Sequence, residues 1–383
     1  HFYNLIIYWF LVLLKNKFLL IACGIVVFIS LAIISYFFIF KSLLQNKEPE
    51  SIDERYAGDR IVTSEEPITE NKISIIMLGM GGAGHPGGTL SDSITVAQIN
   101  PNSKTINVIS IPRDLYVGIP VDYNNEVFQK INMAYAIGID NTTRYPNKKP
   151  EFRGSQGGGN LAKYVAGKNL GFTINYYIAI DFNSFVSAVN TLGGITVDNP
   201  KYWTDSFYPV KGRELETCGF SPEEINEFHQ KYSGFNLEKQ YTCRYEKLEF
   251  KKGLIELDGE TTLKYVRSRH SNEFGSDFAR GQKAQAVIIA MGKKILSEGI
   301  LTTGSSVLKK LSNVVDTDIK LADIKTILEP FGDLSKYEIN NIYLTEDNVL
   351  SGGSSSNGAS ILTPKGGIGN NEYIINYINS QLK

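Results

Sequence analysis

The chain has 383 residues, enough for one large domain or two ordinary ones, and its 35 glycines and 21 tyrosines stand out in a composition that is otherwise typical of a folded protein. A formal net charge of −1 gives no sign of a nucleic-acid-binding protein, because such proteins present a strong positive field. Basic residues that serve a function in this chain must therefore be clustered locally.

The first 71 residues predict a membrane anchor and a linker. Residues 18–40 form an uncharged stretch of 23 positions, which is long enough to cross a bilayer with some tilt. The stretch lacks an A-x-A-like cleavage site, which favours an anchor that is not removed. We predict a short cytoplasmic or interfacial segment at residues 1–17, one transmembrane helix at 18–40, a linker at 41–71 and an extracytoplasmic domain at 72–383.

Strands that alternate with helices predict a layered α/β domain. Apolar runs predict three strands at residues 72–78, 93–99 and 106–111, with a glycine loop at 79–88 between the first two. Later patterns predict strands at residues 176–180, 195–197 and 339–344, helices at 130–138, 161–169, 182–191, 279–296, 300–312, 321–328 and 372–381, and loops at 141–160 and 351–360. No second-domain boundary is visible after residue 72.

Residues 201–252 have little periodicity and are predicted to be an insertion with a short helix at 222–231. Two of the three cysteines of the chain, Cys218 and Cys243, lie in it, 25 positions apart. Outside the membrane such a pair can form a disulfide that stabilises the insertion, and two unrelated free thiols are the alternative.

Residues 257–285 concentrate positive charge, since they include Arg267, Arg269 and Arg280. The residues before Arg267 predict a short strand, on which Arg267 and Arg269 would point to the same face. Two guanidiniums so close repel each other unless an anion lies between them, and the planar guanidinium suits phosphate. Asp277 is predicted to cap the next helix, so that Arg280 would lie in its first turn, where a cation is unfavourable unless it faces an anion. A solvated basic strand with salt bridges is the alternative.

Two residues outside this segment extend the charge pattern. Arg113 follows a predicted strand end, where loops build sites in α/β sheets, and with the three other arginines it would supply a fourth positive charge that matches a pyrophosphate. Asp92 follows the glycine loop. A carboxylate near these arginines predicts a Mg²⁺ (or Mn²⁺) site, because Mg²⁺ usually takes one or two carboxylates together with phosphate oxygens. An ordinary turn aspartate is the alternative.

Other chemistries find little support in the sequence. Gly79, Gly81 and Gly84 spell GxGxxG after a predicted strand, but a second strand follows where a dinucleotide-binding loop needs a helix. The sequence has no P-loop motif, and its four histidines lack metal-ligand spacing.

A series of motifs carries a family resemblance. They are, in chain order, ISIIMLG, Ser91-Asp92, INP, SIPRD, KINMAYAIG, YYIAIDF, LGGITVD, LDGE, YVRSR and DFAR. In these motifs the chain resembles the LytR–CpsA–Psr family of cell-wall phosphotransferases, and the resemblance runs from about residue 73 to the last predicted helix and includes the anchor.

The resemblance implies a three-layer α/β/α sandwich with a central mixed sheet and a hydrophobic groove for a polyprenyl chain. It implies Mg²⁺-assisted transfer of a glycopolymer from a polyprenyl-pyrophosphate carrier to a peptidoglycan hydroxyl through a phosphodiester. Asp92 would then bind the metal. The pyrophosphate would be held by Arg113, Arg267, Arg269, Arg280 and Lys130, the lysine of the KIN motif.

Four positions depart from the family pattern. Gly81 stands where the family usually has an aspartate, Leu90 where it has an arginine, and Lys283-Ala284 where it has Arg-Gln. Because the lost aspartate is a candidate base, we hypothesise that His85 in the glycine loop accepts the proton of the attacking hydroxyl, as histidine can near neutral pH. Two alternatives to transfer are a lipid-pyrophosphate hydrolase and a non-catalytic scaffold that binds polyprenyl phosphate.

Overall fold

The structure is a computed structural model, and it describes residues 72–85, 87–141, 144–271, 273–300 and 305–382. The N-terminal segment, the transmembrane helix and the linker predicted for the first 71 residues lie outside these ranges. Among the described residues, no helix combines the length and the apolar character that crossing a bilayer requires.

Strands and helices alternate along the described chain. The strands are β1 Ile73–Met80, β2 Ser91–Asn100, β3 Thr105–Ile111, β4 Tyr116–Pro120, β5 Glu126–Lys130, β6 Tyr176–Asp181, β7 Ile195–Asn199, β8 Trp203–Pro209, β9 Tyr245–Phe250, β10 Gly253–Leu257, β11 Asp316–Thr317, β12 Glu338–Tyr343, β13 Leu350–Ser354 and β14 Ser360–Pro364. The helices are α1 Met133–Ile139, α2 Gly157–Leu170, α3 Phe182–Thr191, α4 Pro222–Lys231, α5 Gly234–Glu238, α6 Gly259–Arg267, α7 Asp277–Ser297, α8 Ser305–Ser312, α9 Ile324–Leu328 and α10 Glu372–Gln381.

The central sheet has six strands in the order β11–β6–β1–β2–β3–β12. β2 runs antiparallel to β1 and β3, whereas β6 is parallel to β1 and β12 is parallel to β3. The prediction of a central mixed sheet is therefore confirmed. Met80 at the end of β1 pairs with Asp181 on β6 and Ser91 on β2. The carboxyl ends of β1, β3 and β6 consequently meet at one end of the sheet.

Side chains alternate between the two faces of the sheet, as strand geometry requires. One face builds the main core, where Ile76, Val96 and Ile109 pack with residues of α2 and α10 such as Leu161 and Ile374. On the opposite face α7 lies against β2 and β3. Helices thus cover both faces, but the cover on the α7 side encloses a cavity.

The predicted insertion at residues 201–252 is folded. β8 pairs with β9, and Trp203 at the start of β8 packs against Phe250 and, from α6, Tyr265. The disulfide between Cys218 and Cys243 is present, with the two Cα atoms 5.5 Å apart. Helix α4 occupies the range that the sequence predicts.

The prediction of a strand leading into Arg267 is wrong, because this segment is helix α6. Its N-cap Asp258 accepts a backbone N–H of the first turn at 2.7 Å. The buried residues Gly259, Thr262 and Tyr265 are three positions apart, which is the spacing of a buried helical stripe. The cap and the tertiary burial outweigh the β propensity of the side chains.

Several predicted boundaries are also wrong. The helix predicted from residue 130 begins at Met133, because Lys130 pairs with Tyr116 as the last residue of β5. The loop predicted at 351–360 contains most of a hairpin, β13–β14, whose strand pairing overrides the weak strand propensity of its glycines and serines. Helix α7 is capped by Ser276 rather than by Asp277.

Candidate active site

A cavity of about 2260 Å³ lies between the sheet and α7. Its body is apolar, with Ala97, Val108 and Ile178 from the sheet and Ile288 and Met291 from α7. Part of its polar lining, including Asp114 and Asp181, lies at the end of the sheet where β1, β3 and β6 finish. Because ligands of open α/β sheets bind beyond the carboxyl ends of the strands, this polar end is the candidate active site.

Asp92 reaches the cavity through a β-bulge. β1 pairs Gly79 with Ser93 and Met80 with Ser91, so that Asp92 is the extra residue of β2. Such a bulge changes the direction of a side chain and is common beside active sites. The carboxylate of Asp92 is consequently an exposed group of the cavity lining.

Asp92 and Arg113 form an ion pair in which Arg113 Nη1 lies 2.6 Å from Asp92 Oδ1. Arg113 Nε also lies 3.5 Å from Asp114 Oδ2, and Lys130 Nζ lies 2.5 Å from Asp114 Oδ1. Arg113 and Asp114 line the cavity, whereas Lys130 is not among the described residues that do so. The structure therefore places Lys130 behind the site, where it fixes Asp114.

Phe182, the first residue of α3, joins two of the predicted site residues. The Cζ atom of Arg267 lies 4.5 Å from the centroid of its ring, and the His85 ring meets the same ring edge-on at 5.2 Å. All three residues line the cavity. Among the described carboxylates, none forms an ion pair with Arg267, so its charge is available to an anion.

The Arg-Ser-Arg segment at residues 267–269 is held by two buried charged side chains, Asp205 and Lys283, each 0% exposed. Asp205 Oδ2 accepts a hydrogen bond from Ser268 Oγ at 2.7 Å. It also accepts from the backbone N–H groups of Arg269 and His270, at 3.2 and 3.1 Å. Lys283 Nζ donates to the carbonyl oxygen of Ser268 at 2.8 Å. The backbone between the two arginines is therefore fixed from both sides.

Lys283 occupies an unusual environment for a lysine. Its Nζ atom lies 4.6 Å from the ring centroid of Trp203, a cation–π contact. Burial lowers the pKa of Lys283 to about 7; Asp205 opposes this shift and Arg280 adds to it. Lys283 consequently changes charge near neutral pH.

Arg280 lies in the first turn of α7, as the sequence predicts. The cavity lining includes all four arginines predicted to bind pyrophosphate, namely Arg113, Arg267, Arg269 and Arg280. Arg113 follows β3, Arg267 is the last residue of α6, Arg269 comes two residues later and Arg280 lies in α7, so the fold brings cations from separate parts of the sequence to one cavity.

A sequence comparison decides the family. The model of the LytR_cpsA_psr family matches residues 38–366. The chain belongs to this family. A family relative named polyisoprenyl-teichoic acid–peptidoglycan teichoic acid transferase TagU, from Enterococcus faecalis, is 24% identical over 345 residues, which are 87% of this chain and 91% of the relative.

Two further comparisons involve TagV from Bacillus subtilis, which carries the same transferase name. Its sequence is 24% identical over 343 residues, 89% of this chain and 73% of the relative. Its crystal structure aligns with a TM-score of 0.52 at 22% identity and covers 81% of this chain and 97% of TagV. The likeness in structure shows the shared mixed α/β fold.

Glycine at position 81 leaves room for the His85 side chain. A Cβ atom at Gly81 would lie 2.9 Å from the Cβ of His85, closer than real side chains approach. Any larger residue at this position would therefore displace His85 from its place at the cavity.

The described residues contain no group of three or more His, Cys, Asp or Glu side chains that converge as in a metal centre made by protein alone. Mg²⁺ does not need such a group when phosphate oxygens supply most of its ligands. Asp92, exposed beside Arg113, fits a Mg²⁺ (or Mn²⁺) ion that is shared with a bound pyrophosphate.

Sequence reasoning missed Asp205 and the role of Lys283. Asp205 lies in the insertion, where the sequence shows no periodic pattern, so nothing signalled its contact with the Arg-Ser-Arg segment. Lys283 follows Arg280 by three positions and therefore lies on a neighbouring part of the α7 surface. The one available signal was the departure from the family pattern at Lys283-Ala284, where the resemblance implies Arg-Gln.

Proposed function

We propose that this protein transfers a glycopolymer of the teichoic acid class from a polyprenyl-pyrophosphate carrier to a hydroxyl group of peptidoglycan, through a phosphodiester. The observation that carries the proposal is one cavity of about 2260 Å³ with an apolar body and four arginines in its lining. A polyprenyl pyrophosphate has the same division between hydrocarbon tail and anionic headgroup. The names of the TagU and TagV relatives support the same reaction.

The size of the cavity suits a long lipid tail. Pockets for ordinary small ligands measure roughly 300–1,000 Å³, and this cavity, at about 2260 Å³, is larger. Aliphatic side chains from the sheet and from α7 would bury the isoprenoid units and remove them from water. This burial would supply most of the binding energy without involving the reacting atoms.

The four arginines would bind the pyrophosphate. Guanidinium groups donate paired hydrogen bonds to phosphate oxygens and keep their charge at every relevant pH. Arg267 has no carboxylate partner among the described residues and would gain one in the substrate. Arg113 already holds Asp92, so it would connect the phosphate to the carboxylate proposed to hold the metal.

The reaction would be a displacement at phosphorus. The acceptor hydroxyl oxygen forms a bond to the phosphorus next to the sugar, and the bond from that phosphorus to the bridging oxygen breaks, so that polyprenyl phosphate leaves. The arginines stabilise the charge that develops on the phosphoryl oxygens. The hydroxyl proton passes to a base, for which His85 is the hypothesis. A Mg²⁺ ion held by Asp92 would supply further charge neutralisation when bound.

The proposal includes the finer architecture predicted from the sequence. The domain at residues 72–383 would be a three-layer α/β/α sandwich outside the cell membrane. It would be attached by the linker at 41–71 to a single membrane-spanning helix at 18–40, with residues 1–17 in the cytoplasm or at the interface. This placement would bring the cavity near the membrane that contains the lipid carrier.

A transfer assay tests the proposal. The full chain in detergent is incubated with a lipid-pyrophosphate oligosaccharide, peptidoglycan fragments and Mg²⁺, and the products are identified by mass spectrometry. We expect a phosphodiester-linked conjugate from the wild type. Arg267→Ala should reduce its rate by about a thousandfold or more, as for other arginines that act on phosphoryl charge.

The other outcomes separate the alternatives. Release of sugar phosphate without an acceptor would identify a lipid-pyrophosphate hydrolase. Bound lipid that remains intact would identify a scaffold. Full activity in Arg267→Ala would contradict the role of the arginines, provided that its circular dichroism spectrum and melting temperature match those of the wild type.

A further inference from the structure

Ser268, between two arginines of the site, is held by opposite charges. Its hydroxyl donates to the buried carboxylate of Asp205 at 2.7 Å, and its carbonyl accepts from the buried ammonium of Lys283 at 2.8 Å. Asp205 belongs to β8 in the insertion, and Lys283 belongs to α7. Two separate parts of the fold therefore converge on one peptide unit of the site.

Regular secondary structure ends at Ser268, so the backbone after it is held by side chains. Helix α6 finishes at Arg267, and Ser268 is its C-cap residue. Arg269 lies in the irregular segment that follows. Beyond the helix, the position of a guanidinium depends on how firmly its backbone is anchored, and side chains provide that anchor through Ser268.

Lys283 carries out this anchoring at an energetic cost. Its aliphatic stem and amino group are fully buried, and the rings of Trp203 and Phe274 lie 4.6 and 5.7 Å from Nζ. Asp205 is the charged group that faces it from the insertion, and Arg280 is the one that faces it from its own helix. Among the described residues of the 268–274 segment, the Ser268 carbonyl and the Phe274 ring contact Lys283, and both are uncharged.

We propose that Lys283 is a positioning residue of the anion site, which in its charged form fixes the spacing of the Arg267 and Arg269 guanidiniums, and that a bound pyrophosphate group favours this charged form. The physical basis is the position of Arg280. Its positive charge disfavours the Lys283 ammonium, and an anion bound to Arg280 would weaken that repulsion. A charged amino group also forms a stronger hydrogen bond to a carbonyl than a neutral one.

The proposal has a linkage consequence. If the anion favours protonation of Lys283, then protonation of Lys283 favours the anion by the same factor. Burial lowers the pKa of Lys283 to about 7, so the lysine is charged below this pH and loses its proton above it. Affinity for a pyrophosphate group should therefore fall as the pH rises from about 7, in addition to any effect of the titration of the ligand itself.

The inference rests on the proposed function only for the choice of a pyrophosphate as the anion, so its test measures binding and not transfer. The full chain in detergent is titrated with geranylgeranyl pyrophosphate by calorimetry from about pH 6 to about pH 9, a range that brackets the titration of Lys283. Lys283→Arg keeps a charge at every pH, and Lys283→Met removes it. The ligand titrates identically in all experiments, so differences between variants report on the protein.

The structure offers a matched control in Lys148. This lysine is 1% exposed, and its Nζ donates to the carbonyl oxygens of Ile137 and Gly138 at 2.5 and 2.9 Å. It does not line the cavity among the described residues. Lys148→Met therefore removes a buried lysine with similar backbone contacts at a distance from the arginines.

We expect Lys283→Met to bind the ligand about tenfold or more weakly than the wild type at pH 6, the scale of a lost charge-assisted contact. Lys283→Arg should restore the affinity and lose less of it than the wild type toward pH 9. Lys148→Met should follow the wild type throughout.

Equal affinities and parallel pH profiles for the wild type, Lys283→Met and Lys148→Met would overturn the inference. If Lys283→Met does not fold, parallel profiles for the wild type and Lys283→Arg would overturn it equally. A wild type that binds the lipid with the expected pH dependence but forms no conjugate would contradict the proposed function and leave this inference standing.

Discussion

The hydrocarbon cavity can be filled from one position on α7. Gly292 lines the cavity, and a Cβ atom added to it would meet no heavy atom within 4 Å. Substitution at this position therefore extends a side chain into open space instead of overpacking the core. Gly292→Trp would place an indole ring in the space that we assign to the polyprenyl tail.

The expected loss of affinity follows from surface area. A tryptophan side chain presents about 200 Å². If it displaces that much apolar contact with the lipid, the tail loses about 5 kcal/mol of binding energy at roughly 25 cal/mol per Å². A tail that bends around the ring would retain part of this binding energy. A net loss of about 2 kcal/mol would make the complex roughly thirtyfold weaker.

The assay compares long and short prenyl pyrophosphates with inorganic pyrophosphate, each titrated into the full chain. Gly292→Trp should bind the long-chain lipid weakly and inorganic pyrophosphate as the wild type does, because the arginines are untouched. Gly292→Ala is the control: it should retain lipid binding and raise the free energy of unfolding by about 0.5–1 kcal/mol, since glycine is unfavourable inside a helix. Wild-type affinity of Gly292→Trp for the long-chain lipid would refute the assignment of the cavity.

Four further predictions concern the disulfide, the buried lysine, the metal ligand and the base. Replacing Cys218 and Cys243 by serine should lower the free energy of unfolding by about 3.5 kcal/mol in denaturant titrations, from the closure entropy of a 25-residue loop; an unchanged midpoint would contradict this. Because the pKa of Lys283 is lowered to about 7, its buried charge destabilises the fold most below that pH. Above about pH 7 the folded protein loses this charge, so the free energy of unfolding of the wild type, measured in urea, should rise relative to that of Lys283→Met by about 1.4 kcal/mol per pH unit. Asp92→Asn should abolish the stimulation of transfer by added Mg²⁺, and equal stimulation in both proteins would remove Asp92 as the ligand. His85→Ala should reduce turnover by about a hundredfold or more, the usual contribution of a general base, and unchanged turnover would reject His85 in that role.

The insertion contributes to the site as well as to the surface of the domain. Asp205 ties β8 to the Arg-Ser-Arg segment. The Phe235 ring of α5 stacks on His270, which lines the cavity, at 3.7 Å. Changes in the insertion can therefore alter the positions of the site arginines.

The sequence by itself determined the elements that depend on local pattern. Apolar runs predicted five of the six strands of the central sheet, all except β11, and the alternation of side chains along them followed from strand geometry. The site arginines were found because cations gathered in short motifs need a shared anion. Helix α3, at Phe182–Thr191, was predicted at its observed bounds, and the glycines after Leu192 mark its end.

Tertiary structure decided what depends on partners far away in the chain. The segment before Arg267 has β-prone side chains, yet burial of Tyr265 against Trp203 makes it a helix. The resemblance implies that Lys130 binds pyrophosphate, and only the structure shows that Lys130 forms an ion pair with Asp114 and does not line the cavity among the described residues. Lys283 is a lysine like any other in sequence, and only its burial beside Ser268 gives it a pKa near neutrality. Burial and long-range pairing contribute as much to the conformation and pKa of a residue as its intrinsic preferences do. Because both depend on residues that are distant in the chain, the local sequence does not show them.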